Sequence, residues 1–209
     1  MQSDTDILGL IDIQPTFMPG GELPVADGNA VVPVANRLLP RFAHAFATQD
    51  WHPPDHYSFA SSHPGKLPFD AIGGQTLWPD HGIAGSASAA IHAAIDQTRI
   101  EVVVRKGFRP HLDSYSAFFE NDRTTHTGLD GWLRQRGFQR IFLAGLATDF
   151  CVGWSAEDAL RLGYDVVLIE DACRGIGIPT APGRTTIDDM RDKLAALGCR
   201  FIVATDLAA

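Results

Sequence analysis

The stretch "FLAGLATDFCVGW" (Phe142–Trp154) indicates how this chain folds. It opens with an apolar run typical of a buried strand, and the run breaks at Leu146, Ala147 and Thr148. A cysteine, Cys151, follows where a helix is expected to begin. A buried strand that turns sharply into a helix is the building unit of a parallel sheet covered by helices.

The same alternation continues along the rest of the chain. The predicted strands are Ile7–Ile13, Phe42–Thr48, Ile100–Arg105, Arg140–Gly145, Asp165–Glu170 and Arg200–Ala204. The predicted helices are Ala30–Leu39, Ala87–Ile95, Leu129–Arg136, Val152–Leu162 and Thr185–Leu197. Near-continuous apolar strands that alternate with helices favour a sheet buried on both faces. We therefore expect an α/β fold with three layers, α/β/α, around a mainly parallel six-stranded sheet.

The length of 209 residues favours a single domain over the whole chain, 1–209. One segment, Pro53–Gly85, departs from the alternation and is rich in Pro, Gly, His and Ser. Loops of this length in compact domains are usually functional. We expect this segment to be an inserted loop that carries part of a site.

Composition narrows the function classes. Seventeen Lys and Arg against 25 Asp and Glu give a formal net charge of −8, which disfavours nucleic acid and anionic membranes as partners. The N-terminal stretch is acidic and has no signal-peptide pattern, and no apolar run reaches about 18 residues. Three widely spaced cysteines make a poor disulfide framework. We expect a cytoplasmic protein that binds a small molecule, with homo-oligomerisation left open.

Polar side chains, most of them ionisable, follow four of the predicted strands. They are Asp12 after the first, Asp50 and His52 after the second, Lys106 after the third, and Thr148, Asp149 and Cys151 after the fourth. The carboxyl ends of parallel strands share one edge of a sheet, where ligands bind. Each residue alone has an ordinary structural explanation, as a turn former, a solvated lysine or a small core residue. Together they indicate a catalytic site.

The chemistry of three of these residues fits acyl transfer from a small amide or ester. The thiolate of Cys151 would be the nucleophile, stabilised by Lys106 and by a helix N-terminus. Asp12 would accept the thiol proton and pass it to a leaving amine. Backbone N–H groups near Ala147 and Cys151 would form an oxyanion hole.

A second group of residues resembles a metal site. Asp50 and His52 are two apart, so on an extended segment both side chains point the same way. His56 and His81 follow in the long loop. One carboxylate with two or three imidazoles suits a single divalent ion, with zinc favoured and iron or manganese as alternatives.

Five blocks carry a resemblance to a known family: "LIDIQPTFMPGGELPV", "ATQDWHPPDHYSFAS", "LWPDHG", "RKGFRPHLDSYSAFF" and "GLATDFCV". In this order and spacing they resemble the nicotinamidase/pyrazinamidase family, within the isochorismatase-like hydrolases, over almost the whole chain. The resemblance implies an isochorismatase-like, Rossmann-like fold. It also implies hydrolysis of nicotinamide to nicotinate and ammonia, and of pyrazinamide to pyrazinoate, in pyridine nucleotide salvage for NAD biosynthesis.

The resemblance also implies roles for individual residues. The catalytic triad would be Asp12, Lys106 and Cys151, and the metal ligands Asp50, His52 and His81. His56 is a candidate for a further ligand, with water as the alternative. A cis peptide would join Ala147 to Thr148. The substrate ring would lie among Phe17, Leu23, Trp78, Tyr115 and Ala147, with its ring nitrogen toward the metal.

One departure from the family pattern is visible, because Gly82 follows His81 where many members have cysteine. Cys151 argues against the branch that hydrolyses isochorismate, which lacks this nucleophile. Two other functions stay open. One is hydrolysis of another small amide, such as an N-carbamoyl compound, and the other is a non-catalytic metal or redox sensor. "GLATDFC" lacks the glycine spacing of a dinucleotide site.

Overall fold

Six parallel strands form the central sheet of the computed structural model, which describes residues 2–207. The strands are β1 (Asp6–Ile11), β2 (Ala45–Asp50), β3 (Val102–Lys106), β4 (Arg140–Leu146), β5 (Asp165–Arg174) and β6 (Arg200–Ile202). Their order across the sheet is β6-β5-β4-β1-β2-β3, and every neighbouring pair is parallel. The predicted six-stranded sheet is confirmed. Residues 1, 208 and 209 of the predicted single domain lie outside the described residues.

Helices cover both faces of this sheet. They are α1 (Val31–Leu38), α2 (Leu129–Arg136), α3 (Gly153–Arg161) and α4 (Thr186–Ala196). Alternate residues of a strand enter opposite cores: Leu8 and Leu10 pack with α1, whereas Ile7 and Ile11 pack with the other three helices. Both faces of a strand are therefore apolar, as the near-continuous hydrophobic runs required. The three-layer α/β/α architecture is confirmed.

The predicted helix Ala87–Ile95 is wrong, because this segment consists of turns. The carbonyl oxygen of Ala89 accepts hydrogen bonds from the side-chain amides of Gln14 at 2.7 Å and Gln49 at 2.9 Å. Both donors come from the carboxyl ends of neighbouring strands. Tertiary hydrogen bonds thus hold a backbone group that a helix would use internally.

Several predicted strand boundaries are also wrong: β2 ends at Asp50 rather than Thr48, β3 is Val102–Lys106 rather than Ile100–Arg105, β5 ends at Arg174 rather than Glu170, and β6 ends at Ile202 rather than Ala204. Two further differences have a visible cause. The first strand ends at Ile11 rather than Ile13, because Asp12 has a left-handed φ of 46° that no strand accommodates. The second strand starts at Ala45 rather than Phe42, because the Phe42 N–H closes a short turn onto the carbonyl of Leu39 at 3.3 Å. The first change places Asp12 beyond the strand, at the carboxyl edge of the sheet.

The inserted segment 53–85 leaves β2 and returns to its carboxyl end. The His52 N–H donates to the Gly82 carbonyl at 2.9 Å, and the Ala84 N–H donates to the His52 carbonyl at 2.8 Å. Between these points the segment forms turns and a small antiparallel hairpin, Ala71–Ile72 with Gln75–Thr76. The return brings His81 beside the end of β2.

The strand order reverses at β1 and β4. From β1 the chain builds β2 and β3 on one side, and it then crosses to β4 and builds β5 and β6 on the other. Such a reversal opens a crevice beyond the carboxyl ends of the two central strands. Asp12 leaves β1 and residues 147–152 leave β4 at this crevice. Within residues 2–207, no helix has the length and apolar character needed to cross a membrane.

Candidate active site

A tight turn after β4 presents Cys151 at the crevice. The cis peptide bond joins Leu146 to Ala147, one bond earlier than predicted. The prediction of a cis Ala147–Thr148 bond is wrong because that peptide already belongs to the turn. The Ala147 carbonyl accepts the N–H groups of Phe150 at 3.0 Å and Val152 at 3.1 Å. This wide, π-type turn leads directly into α3, and such turns are frequent at functional sites.

Lys106 lies between Asp12 and Cys151, the other two sequence-predicted catalytic residues. Its Nζ lies 2.8 Å from Asp12 Oδ2 and 3.6 Å from Cys151 Sγ. The same ammonium hydrogen-bonds Asp50 Oδ1 and donates to the Ser114 carbonyl at 3.1 Å. The Lys106 and Asp12 side chains have no solvent exposure. The fold therefore brings together an acid, an ammonium and a thiol from β1, β3 and the turn after β4.

Thr48 positions the carboxylate of Asp12. The Thr48 hydroxyl donates to Asp12 Oδ1 at 2.6 Å and accepts the Asp12 N–H at 3.0 Å. Asp12 Oδ2 forms an ion pair with the Lys106 ammonium and has no other polar partner among the described residues. A carboxylate oxygen of Asp12 also lies within 4.8 Å of Cys151 Sγ, close to the thiol whose proton it would take. Sequence reasoning missed Thr48, although it lies two residues before Asp50 on the same face of β2.

Gln14 fixes the backbone of the second carboxylate, Asp50, and was also missed. Its side chain accepts the Asp50 N–H at 2.8 Å and donates to the Asp50 carbonyl at 2.9 Å. Both backbone groups at the end of β2 are therefore satisfied by one amide. The available signal was its place in "LIDIQ", two residues after Asp12.

Burial and charge shift the pKa values of these groups in different directions. Burial raises the pKa of Asp12, with Lys106 opposing and Asp50 adding to the shift. Burial raises the pKa of the Cys151 thiol well above its usual range, and Lys106 offsets this only in part. Burial would lower the pKa of Lys106, but Asp12 and Asp50 outweigh it and raise that pKa. Desolvation therefore opposes formation of the Cys151 thiolate, and the Lys106 ammonium favours it.

Asp50, His52 and His81 form a group that fits a divalent metal ion. Asp50 Oδ2 lies 3.5 Å from His52 Nε2 and 3.4 Å from His81 Nε2. The opposite ring nitrogens are engaged by carbonyls, since His52 Nδ1 lies 2.9 Å from the Gly107 oxygen and His81 Nδ1 lies 2.8 Å from the Pro79 oxygen. Such bonds leave each Nε2 lone pair directed at a common point. One carboxylate and two imidazoles are a donor set that divalent ions accept.

His56 is the candidate ligand that the structure does not bring into this group of three. Its Nδ1 lies 2.8 Å from the Ser58 hydroxyl and its Nε2 lies 2.8 Å from the Arg109 carbonyl. Both ring nitrogens are therefore engaged in hydrogen bonds. The ring packs beside that of His52, with centroids 4.5 Å apart. In this arrangement the His56 ring packs against the His52 ring.

A small cavity lies between Cys151 and the Asp–His–His group. All five sequence-predicted substrate contacts line it: Phe17, Leu23, Trp78, Tyr115 and Ala147. Sequence reasoning missed three further lining residues, Asp113, Phe150 and Ile176.

Of these three, Phe150 had a signal, because it directly precedes Cys151. Ile176 had none, since a tertiary contact places it. The carboxylate of Asp149 accepts the N–H groups of Ile176 at 2.9 Å and Gly177 at 2.8 Å. The nucleophile turn thereby holds the loop after β5 against the cavity.

We predict that Gly107→Ala weakens metal binding by about 10–100-fold. Gly107 has a φ of 63°, and a Cβ there would lie 2.3 Å from His52 Cε1. The His52 ring must shift to relieve this contact. Zinc affinity measured by competition with a chromogenic chelator checks the prediction.

Gly131→Ala is the matched control, since no atom lies within 4 Å of a Cβ at this position on α2. We expect it to leave zinc affinity unchanged. Equal affinities for the two variants would contradict the role given to Gly107.

Sequence comparison shows relatives over most of the chain. The isochorismatase domain family matches residues 6–198. A nicotinamidase of Acinetobacter baylyi is 46% identical over 179 residues, which is 84% of this chain and 84% of the relative. A nicotinamidase of Escherichia coli is also 46% identical, over 81% of this chain and 83% of the relative.

Solved structures share the fold. A nicotinamidase and pyrazinamidase of Acinetobacter baumanii superposes with a TM-score of 0.94 and 42% identity over the whole of both chains. The PnC1 protein of L. infantum, solved with nicotinate, has a TM-score of 0.86 and 36% identity over 99% of this chain and 97% of that one. A pyrazinamidase of Pyrococcus horikoshii, solved with zinc, has a TM-score of 0.77 and 29% identity over 95% and 99%.

Proposed function

This chain belongs to the isochorismatase domain family, and from that premise we propose that it is a metal-dependent cysteine amidohydrolase that converts nicotinamide to nicotinate and ammonia. Family membership confirms the resemblance carried by the five sequence blocks. The observation that carries the proposal is the meeting of Cys151, Lys106 and Asp12 at a closed, aromatic cavity. Pyrazinamide, an aromatic carboxamide of similar size, is a proposed second substrate.

Aromatic side chains would hold the substrate ring in the cavity. Phe17 and Trp78 line it and are nearly fully buried, at 4% and 2% exposure. Their apolar surfaces favour a neutral ring over a charged or aliphatic amide. This lining disfavours N-carbamoyl compounds, and the buried triad disfavours a sensor without catalysis.

The first proposed step is attack of Cys151 Sγ on the carboxamide carbon. The thiol proton passes to Asp12, whose raised pKa suits it to accept and later release a proton. Lys106 holds both groups in place and balances the negative charge that develops on sulfur. The N–H groups of Ala147 and Cys151 would stabilise the oxyanion.

The remaining steps use the same residues. Asp12 returns the proton to the nitrogen as the C–N bond breaks, which releases ammonia and leaves a thioester on Cys151. Asp12 then accepts a proton from a water molecule that attacks the thioester, and it returns this proton to Cys151 Sγ as the C–S bond breaks. The thiol is restored, and the released acid loses its carboxyl proton to solvent as nicotinate. Closure of the cavity excludes other nucleophiles from this intermediate.

The metal site has a supporting role in the proposal. Asp50, His52 and His81 would hold the ion, and zinc is the proposed metal because its preferred ligands are imidazole nitrogens and carboxylate oxygens. The zinc-bound pyrazinamidase of Pyrococcus horikoshii supports this choice. A bound ion supplies positive charge that attracts the ring nitrogen of the substrate and offsets the negative charge of Asp50.

We further propose that the protein works in the cytoplasm. Its three cysteines, Cys151, Cys173 and Cys199, are all buried as free thiols. Free thiols persist in a reducing compartment.

Ammonia release from nicotinamide by the zinc-loaded protein tests the proposed function. We expect turnover of nicotinamide and pyrazinamide and none of N-carbamoylglycine. Removal of the metal with a chelator should abolish turnover, and added zinc should restore it. Absence of nicotinamide turnover by the metal-loaded protein would refute the proposal, and preference for N-carbamoylglycine would favour the alternative amide.

A further inference from the structure

Two cavities lie on opposite sides of one wall at the active site. The inner cavity holds Cys151, and the outer one is a surface groove with an empty volume of about 900 Å³. Asp113, Tyr115 and Phe150 line both. Gln75, from the small hairpin of the inserted segment, lines the outer groove beside them.

The side chain of Gln75 holds this wall in place. Its Nε2 donates to Asp113 Oδ2 at 2.9 Å and to the Tyr115 hydroxyl oxygen at 3.0 Å. Its Oε1 accepts from Asn121 Nδ2 at 3.0 Å. One amide thus links the hairpin to the loop that follows β3 at three points.

Tyr115 receives a second fixed donor, because Trp78 Nε1 also donates to its hydroxyl oxygen at 3.0 Å. The inner cavity is lined by nearly buried side chains: Trp78, Tyr115 and Cys151 are 2%, 9% and 6% exposed. Widening the cavity toward the groove requires part of the wall to move. The Gln75 contacts are the polar links that such a movement would break.

We propose that Gln75 is a positioning residue that sets substrate size, by separating the inner cavity from the outer groove. With the wall in place, the inner cavity admits unsubstituted ring carboxamides. With the wall released, the groove accommodates a substituent on the ring. The size limit rests on the proposed function, whereas the closure of the cavity does not.

The first test measures access to Cys151 without catalysis. Cys151 is alkylated with iodoacetamide and with the larger N-ethylmaleimide, and peptide mapping separates it from Cys173 and Cys199. For the isosteric Gln75→Glu, which lacks the amide donors, we expect N-ethylmaleimide to react about 30-fold faster than with the unaltered protein, since two hydrogen bonds of about 1 kcal/mol each are lost. For Gln75→Ala, which also loses the bond to Asn121, we expect an increase at least as large. We expect a smaller increase for iodoacetamide.

Gln135→Ala is the control, because Gln135 is exposed on α2, away from both cavities. We expect it to alkylate like the unaltered protein. Thermal unfolding shows whether each variant is folded. One folded Gln75 variant is enough for the alkylation test. Unchanged N-ethylmaleimide rates in a folded Gln75 variant would overturn the proposal whether or not nicotinamide is a substrate.

The second test measures specificity. We expect the Gln75 variants to raise kcat/KM for 5-methyl- and 6-methylnicotinamide relative to nicotinamide by about tenfold, mainly through KM, since access and not the chemical step changes. A purely structural role would lower all three values together. An unchanged ratio alongside faster alkylation would overturn the size limit, and lack of turnover of every amide would refute the proposed function instead.

Discussion

Cys151→Ala is expected to lower kcat for nicotinamide by at least about 10⁴-fold, because the reaction loses its nucleophile and the rest of the triad has nothing to activate. Cys151 lies 3.6 Å from Lys106 Nζ, and its Sγ lies within 4.8 Å of carboxylate oxygens of Asp12 and Asp50. No other cysteine lines the cavity within residues 2–207. Steady-state ammonia release and zinc titration together measure the effect.

Zinc affinity of the Cys151→Ala variant should stay within a few-fold of the unaltered protein, since the proposed ligands are Asp50, His52 and His81. Cys173→Ala is the matched control. Cys173 is equally buried, and burial raises its pKa to about 12, but it lines a different cavity between β5 and α4. We expect the control to retain turnover. Substantial hydrolysis of nicotinamide by the Cys151→Ala variant would contradict a mechanism through a thioester on Cys151.

Lys106→Met is expected to abolish turnover and to lower the free energy of unfolding by about 3–5 kcal/mol. Asp12 and Asp50 are 0% and 4% exposed, and both face the Lys106 ammonium. Methionine keeps the apolar volume of the lysine stem but leaves two buried carboxylates without their counterion. Urea unfolding of the metal-free protein measures the loss.

A lysine on the surface provides the control. Lys193 pairs with Glu157 at 2.8 Å, but its side chain is 45% exposed. We expect Lys193→Met to cost about 0–1 kcal/mol, because solvent screens the pair. Similar losses for the two variants would contradict the view that burial makes Lys106 essential.

The loss in the Lys106→Met variant should shrink as the pH falls. Without the ammonium, burial would hold the pKa values of Asp12 and Asp50 above their unfolded values, so protonation stabilises the folded variant. Combining Lys106→Met with Asp12→Asn should recover part of the lost stability, since one uncompensated charge is removed. A double variant no more stable than Lys106→Met would argue against charge repulsion as the cause.

Much of the fold could be predicted because its four central strands, β1, β2, β4 and β5, are buried on both faces. A run such as "IFLAGL" in β4 must be apolar throughout when α1 covers one side of the sheet and α2 to α4 cover the other. The catalytic group could be predicted for a related reason. Asp12 and the turn that contains Cys151 follow β1 and β4, Lys106 is the last residue of β3, and parallel strands end at one edge.

The misses have a common cause in contacts between distant segments. The helix expected over Ala87–Ile95 does not form, because side-chain amides from β2 and from the turn after β1 hold the Ala89 carbonyl. Ile176 was not predicted to line the cavity, because the hydrogen bond from its N–H to the carboxylate of Asp149 joins distant parts of the chain. Local sequence patterns carry no information about hydrogen bonds between such distant residues.

The sequence by itself determined the α/β class, the strand edge that carries the candidate site and the predicted triad of Asp12, Lys106 and Cys151, since these follow from apolar periodicity and from what comes after each strand. Tertiary structure decided how those groups behave. It brought His81 beside Asp50 through the return of the inserted segment, engaged both nitrogens of His56, and linked Gln75 to the loop that follows β3. It also buried the Cys151 thiol, so that burial raises its pKa and Lys106 offsets this in part, because desolvation and charge depend on distances in three dimensions that no local pattern records.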